Sequence, residues 1–195
     1  MSALEVALRR IVRLLDDAGA PCALVGGLAV SVRVEPRFTR DADLAVAAAS
    51  DSDAEALIRM LIGAGCTVVS TVEQAATGRL ATVRLVTDAG DGPVVDLLFA
   101  SSGIEAEVIA RAEHLEVLEG LALPVATTPH LIAMKLLSRD DIERPQDVVD
   151  LRGLVARASD GDIVEVRRAI ALISARGFHR GRDLDAELRR VLSGA

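Results

Sequence analysis

Asp41-Ala42-Asp43 places two carboxylates one residue apart, at the mouth of the apolar run 44–48. On an extended chain, residues i and i+2 point to the same side, so both side chains can aim at one point. A third carboxylate, Asp96, stands alone in Val-Val-Asp-Leu-Leu-Phe at 94–99. An ionised carboxylate in a buried strand is costly unless it is paired or binds a metal. If strand 94–99 lies beside strand 44–48, Asp96 joins the pair. Three convergent carboxylates repel one another unless a divalent cation sits between them, and hard oxygen ligands of this kind suit Mg²⁺ or Mn²⁺. Each piece alone has a plainer explanation: a solvated turn for Asp-x-Asp, a strand-edge charge for Asp96.

Thirteen residues lie between Asp41 and the pair Gly26-Gly27, which ends an earlier apolar run. Where a strand opens into a helical turn, missing side chains let phosphate oxygens approach backbone N–H groups. A phosphate cradle facing carboxylate-held metal is the apparatus of phosphoryl or nucleotidyl transfer. The aspartates would then hold metal for a nucleoside triphosphate. Lys135 is a further candidate. Lysine is rare in this arginine-using chain, and this one sits in Leu-Ile-Ala-Met-Lys-Leu-Leu. It either snorkels from an apolar helix or faces phosphate. Arg33, Arg37 and Arg40 cluster between the glycines and the aspartates, to balance the carboxylates or to guide phosphate. His114, His130 and His179 are isolated and show no ligand spacing.

The elements that must position these groups can be read from periodicity and turn chemistry. Residues 3–17 are amphipathic at helical spacing, and Gly19 and Pro21 end that helix. Residues 22–25 form a short strand into Gly26-Gly27, and 28–34 a short helix stopped by Pro36. Strand 44–48 precedes a helix over 54–62 with capping residues at 50–53. Strands follow at 66–72, 80–87 and 94–99, the last two joined as a hairpin by a turn at 88–93. One or two short strands flank Gly120 within 114–126. From Thr127-Thr128-Pro129, a helix start, the remainder reads as helices over 129–139, 145–157, 162–175 and 181–192. The order is thus a helix, a mixed sheet, and a helical C-terminal part.

The 195 residues suit one medium domain with a helical extension. Hydrophobic residues make up 51% and aromatics 2%, so the core is built from Leu, Val, Ile and Ala, and the low aromatic content argues against stacking platforms for single-stranded nucleic acid. Net charge is −7, unevenly spread. Residues 151–195 hold nine Arg against six acidic residues. That fits a metal-binding body with a polyanion-facing helical end, or simply charged helix surfaces. Cys22 and Cys66 lie in apolar runs and read as buried thiols of a cytoplasmic protein. No uncharged run reaches the ~20 residues of a membrane span.

In order and type, Val25-Gly26-Gly27, Asp41-Ala42-Asp43 and Asp96 resemble the motif of the polymerase-β-like nucleotidyltransferase superfamily. The spacer after Gly27 is at the long end for that motif. Two stretches resemble a narrower group, the AbiEii-type toxins of bacterial toxin–antitoxin systems, including MenT-like enzymes. One is Arg-Phe-Thr-Arg-Asp-Ala-Asp-Leu at 37–44. The other, 130–151, carries a helical Lys, an Arg and then Asp-x-x-Asp-Leu. The resemblance spans about residues 22–152.

It implies an α/β (α+β) fold with a polymerase-β-like core at 1–126 and a helical region at 127–195. It implies catalytic roles for Asp41, Asp43, Asp96 and Lys135, with Mg²⁺ or Mn²⁺ on the three aspartates. Gly26, Gly27, Arg40, Lys135, Asp147 and Asp150 would bind the NTP. It also implies the 3′ end of tRNA as acceptor, a translation-blocking toxin as biological role, and a cognate antitoxin as partner. Arg167, Arg168, Arg176, Arg180 and Arg182 are the expected contacts to tRNA phosphates. The alternatives are a small-molecule nucleotidyltransferase of the aminoglycoside type, which would want an acidic cleft, a protein-modifying transferase, and a catalytically decayed nucleotide-binding module.

Overall fold

A computed structural model of the chain describes residues 2–36, 39–75, 77–87, 92–139 and 145–194. It opens on α1 (Ala3–Asp17), where the Ser2 hydroxyl accepts from the Glu5 N–H as N-cap and Ala7, Leu8, Ile11 and Leu15 form the buried face. Then come β1 (Cys22–Val25), α2 (Gly26–Arg33), β2 (Asp41–Val46), α3 (Asp51–Gly63), β3 (Thr67–Glu73), β4 (Leu80–Val86) and β5 (Val94–Leu98). The chain continues through α4 (Glu105–Arg111), β6 (Glu113–Leu118), β7 (Leu121–Val125), α5 (Thr128–Ser138), α6 (Pro145–Arg157), α7 (Asp160–Ala175) and α8 (Leu184–Leu192).

The strands form one seven-stranded mixed sheet in the order β3-β4-β5-β2-β1-β7-β6. Its centre explains the apolar runs. β1 is buried along its whole length, antiparallel to β2 and parallel to β7. β2 is parallel to β5, and β4–β5 is the expected antiparallel pair. The turn expected at 88–93 falls largely outside the described residues. β3 is the exposed edge. Cys22 and Cys66 are free and buried; burial, reinforced by Asp16, pushes the Cys22 thiol up to about 11.

Two elements differ from the sequence expectation in ways that matter for the site. β2 starts at Asp41, three residues before the apolar run, because Asp41 pairs with Val94 and Asp43 with both Val25 and Asp96. Ladder pairing of the backbone carries the aspartates into the strand whatever their side chains. α4, to which the pattern assigns no element, lacks a hydroxyl or carboxylate N-cap at Ile104. The buried Glu105 side chain instead reaches back to accept from the Ser101 and Ser102 N–H groups and the Ser102 hydroxyl.

The C-terminal helices pack as a group: α7 and α8 against α5 and each other, and α6 against α5 and α8. They are tied to the segment between β5 and α4 by Phe178, buried against Gly103 so closely that a Cβ there would lie 2.5 Å from the ring. Arg176 adds an ion pair to Glu107 at 2.6 Å.

Candidate active site

The register of the three central strands assembles the carboxylates. Asp43 stands opposite Val25, next to the glycines, on one side and opposite Asp96 on the other. Asp41, two residues earlier on β2, shares the face of Asp43. All three line a cavity of about 820 Å³, together with Gly26, Gly27 and Arg40. Asp41 is exposed and Asp43 intermediate, while Asp96 is 6% exposed. The Thr39 hydroxyl donates to the Asp41 backbone carbonyl at 2.9 Å and to its Oδ1 at 3.1 Å.

Gly26 has a role that its pattern alone does not disclose. Its φ is +65°, and a Cβ built there would lie 1.9 Å from Asp43 Oδ2. The missing side chain is the seat of the Asp43 carboxylate. Gly27 also lines the cavity, and its carbonyl accepts from the Ser31 hydroxyl at 3.1 Å inside α2.

Lys135, the chain's sole lysine, reaches the cavity from α5 and does not snorkel to solvent. Its ammonium lies 2.5 Å from Asp147 Oδ1 and 2.9 Å from Asp150 Oδ2, both on α6, and all three side chains are nearly buried. Asp147 lines the cavity; Asp150 is not among the lining residues and sits 3% exposed beside Lys135. Both acids hold the lysine, and Asp147 also faces the cavity. Asp147 Oδ2 is buried and has no hydrogen-bond partner among the described residues.

Arg84 on β4 was missed by sequence reasoning. It faces Asp96 across the antiparallel β4–β5 pair and donates Nε to Oδ1 at 2.9 Å and Nη2 to Oδ2 at 2.7 Å. The hydrogen bond to Asp96, with the charges of Asp96, Asp41 and Asp43, raises the Arg84 pKa above its ordinary value. The only signal in the sequence was an arginine in an otherwise uncharged strand, which alone does not name its partner.

Of the other arginines expected near the site, Arg33 is elsewhere, bonded to Glu113 and to the carbonyls of Val125 and Ala126. Arg37 lies outside the described residues. The expected tRNA-binding arginines are mostly engaged within the chain. Arg167 pairs with Asp185, Arg168 with Glu165, Arg176 with Glu107 and Arg182 with Glu187. Arg180 bonds the Ser101 carbonyl at 3.1 Å and lines the cavity. Arg167, Arg176, Arg180 and, through the Arg139 carbonyl, Arg182 tie one element to another, whereas Arg168 pairs within α7.

Among the described residues, no group of three or more His, Cys, Asp or Glu is spaced to hold a metal ion. The donor set still fits one. Mg²⁺ is usually bound by one or two carboxylates completed by substrate phosphates and water, and Asp41 and Asp43 offer two on one cavity wall. Asp96 is the exception, because both its oxygens bond Arg84.

A family model described as nucleotidyl transferase AbiEii toxin, type IV toxin–antitoxin system, matches residues 7–193. No curated protein matches the sequence. Among solved structures, the chain resembles the solution structure of the antibiotic-resistance factor ANT(2″)-Ia at 19% identity and TM-score 0.55, with 96% of each chain covered. The crystal structure of ANT(2″)-Ia with adenylyl-2″-tobramycin is similar at 20% identity and TM-score 0.54, covering 87% of this chain and 95% of that one. An antigenic nucleotidyltransferase-like protein from Paracoccidioides brasiliensis matches at 17% identity and TM-score 0.53, over 98% and 92%. At these identities the likeness is one of fold.

Proposed function

The chain belongs to the AbiEii nucleotidyl transferase toxin family of type IV toxin–antitoxin systems, and from that premise we propose that it transfers a nucleotide from an NTP to the 3′ end of tRNA in a metal-dependent reaction. Nucleotidyl transfer itself, an NTP substrate and an antitoxin partner follow from the family. The observation that supports this site for the chemistry is the register of β1, β2 and β5. It sets Asp41, Asp43 and Asp96 on a cavity that Gly26, Gly27 and Lys135 also line.

In this reading Asp41 and Asp43 hold a divalent ion, Mg²⁺ or Mn²⁺, which supplies charge neutralisation and polarisation of the phosphates. Gly26 and Gly27 at the start of α2 present backbone N–H groups to the triphosphate. Lys135, kept in place by Asp147 and Asp150, stabilises charge developing on the departing pyrophosphate. Arg40 is exposed at the cavity and has no ion pair among the described residues, which suits a phosphate contact. The unpartnered Asp147 Oδ2 is an acceptor for a hydroxyl of the nucleotide. Asp96, once it exchanges Arg84 for the ion, would join Asp41 and Asp43 as a ligand and help take the proton of the attacking hydroxyl. The working division is a transferase core at 1–126, with a helical part at 127–195 contributing Lys135 and its acids.

The cavity is not the acidic cleft that a cationic drug would want. Its wall carries Arg40, Arg84, Lys135 and Arg180 against Asp41, Asp43, Asp96 and Asp147. That is balanced, four against four. The test is incubation with each α-³²P-labelled NTP and Mg²⁺, offering total tRNA, an aminoglycoside panel or cell protein. Label at the tRNA 3′ end, abolished by chelator, is expected. Label in the drug or protein fraction instead would overturn the tRNA acceptor.

A further inference from the structure

Asp96 is nearly buried, and both of its oxygens are already bonded to one guanidinium. We propose that Arg84 is a positioning residue that stands in for the metal at Asp96, holding this carboxylate until a divalent ion takes it and thereby setting how tightly the site binds the ion. This rests on the metal-dependent reading above.

Three observations support it. The bond is side-on and bidentate, so a cation approaching either Asp96 oxygen from the cavity meets a donor already there. The guanidinium feels Asp41 and Asp43 as well as Asp96, so one cation offsets the mutual repulsion of three acids. Arg84 is also free to leave. Its side chain is 45% exposed, against 9% for that of Asp96, and it lines the cavity. A half-exposed arginine gives up a partner to water at small cost, whereas a buried carboxylate needs a replacement cation. On release the guanidinium remains at a cavity wall that receives a triphosphate.

The test is the affinity for Mn²⁺ alone, read by electron paramagnetic resonance of the free ion, without NTP or acceptor. Arg84→Met keeps length and removes charge. Losing a cation this close to a ligand is worth about one to three logarithmic units, so Mn²⁺ should bind at least about tenfold tighter than in the parent. In an Asp96→Asn background the same change should have less than about a third of that effect. Arg84→Lys keeps the charge but not the fork and should fall between. It carries the test alone if the Met variant does not fold.

Parent and Arg84 variants binding Mn²⁺ equally, or the variants binding it more weakly, would overturn the competition while leaving metal dependence standing. No Mn²⁺ binding by any of them would overturn this inference, whereas nucleotide transfer insensitive to chelator would overturn the metal-dependent reading beneath it. A silent parent with a binding Arg84→Met would support it.

Discussion

Replacing Gly26 by Ala separates a backbone role from a site role, and the structure sets the size of the effect. At φ +65°, an L-residue costs about 1–2 kcal/mol. The new Cβ would fall 1.9 Å from Asp43 Oδ2, 2.5 Å from its Cγ and 2.8 Å from its Cβ. Ordinary carbon contact begins near 3.5 Å, so the carboxylate must retreat by about 1.5 Å. Leaving its rotamer adds about 0.5–1.5 kcal/mol. The total, roughly 1.5–3.5 kcal/mol, corresponds to a fall in melting temperature of about 3–14 °C for a chain of this size. A misplacement of about 1 Å at a reacting centre costs about 10²-fold in rate, so transfer should drop by at least that. Gly19 is the control. Its φ is +63°, and nothing lies within 4 Å of a built Cβ. Gly19→Ala should lower the melting temperature by about 2–8 °C and leave transfer intact. Differential scanning fluorimetry and labelled-NTP transfer read both. Transfer by Gly26→Ala within about threefold of the parent would refute the seating of Asp43 on Gly26.

Asp41 is exposed, so Asp41→Ala should shift stability by no more than about 0.5 kcal/mol while abolishing transfer; a variant retaining full turnover would remove it from the site. Lys135→Ala takes the shared cation from Asp147 and Asp150. Breaking such a buried set costs about 3–5 kcal/mol, so the melting temperature should fall by about 6–20 °C at about 2–4 °C per kcal/mol, together with loss of transfer; an unchanged melting curve would contradict the buried pairing. Mg²⁺ with NTP at about 100 times the dissociation constant should add about 2.7 kcal/mol of stability, and a shift of equal size in Asp43→Ala would place the nucleotide elsewhere. Burial holds His130 below its ordinary 6.5, and the bond from Arg176 holds Glu107 below its ordinary 4.5. Both groups bind protons more readily in the unfolded chain, so stability should decline as pH falls below about 6.5 for His130 and further below about 4.5 for Glu107; a urea midpoint at pH 5 equal to that at pH 7.5 would refute the first, and no further fall on going below pH 4.5 the second.

Much of the architecture is written locally. Apolar runs bounded by Gly and Pro mark β1, β4 and β5, and capping residues mark the starts of α1 and α3, because these signals act between residues a few positions apart. The carboxylates could be picked out for the same reason: an acid in an apolar strand needs a partner wherever the strand goes. The identity of the partner is another matter. Arg84 meets Asp96 through antiparallel register, and Asp43 meets Asp96 through a parallel pairing with α3, β3 and β4 intervening in the chain. A shift of one residue in either ladder would send these side chains to opposite faces. Packing of α6 on α5 made Lys135 a buried cation between two acids, which its apolar helix left ambiguous. Packing also turned Arg167, Arg176 and Arg180, read as part of a surface for polyanions, toward carboxylates and a carbonyl of other elements. Charge is countable along a chain, but pairing depends on which distant elements the core brings within hydrogen-bond reach, and that is set by burying Leu, Val and Ile rather than by the charged residues themselves.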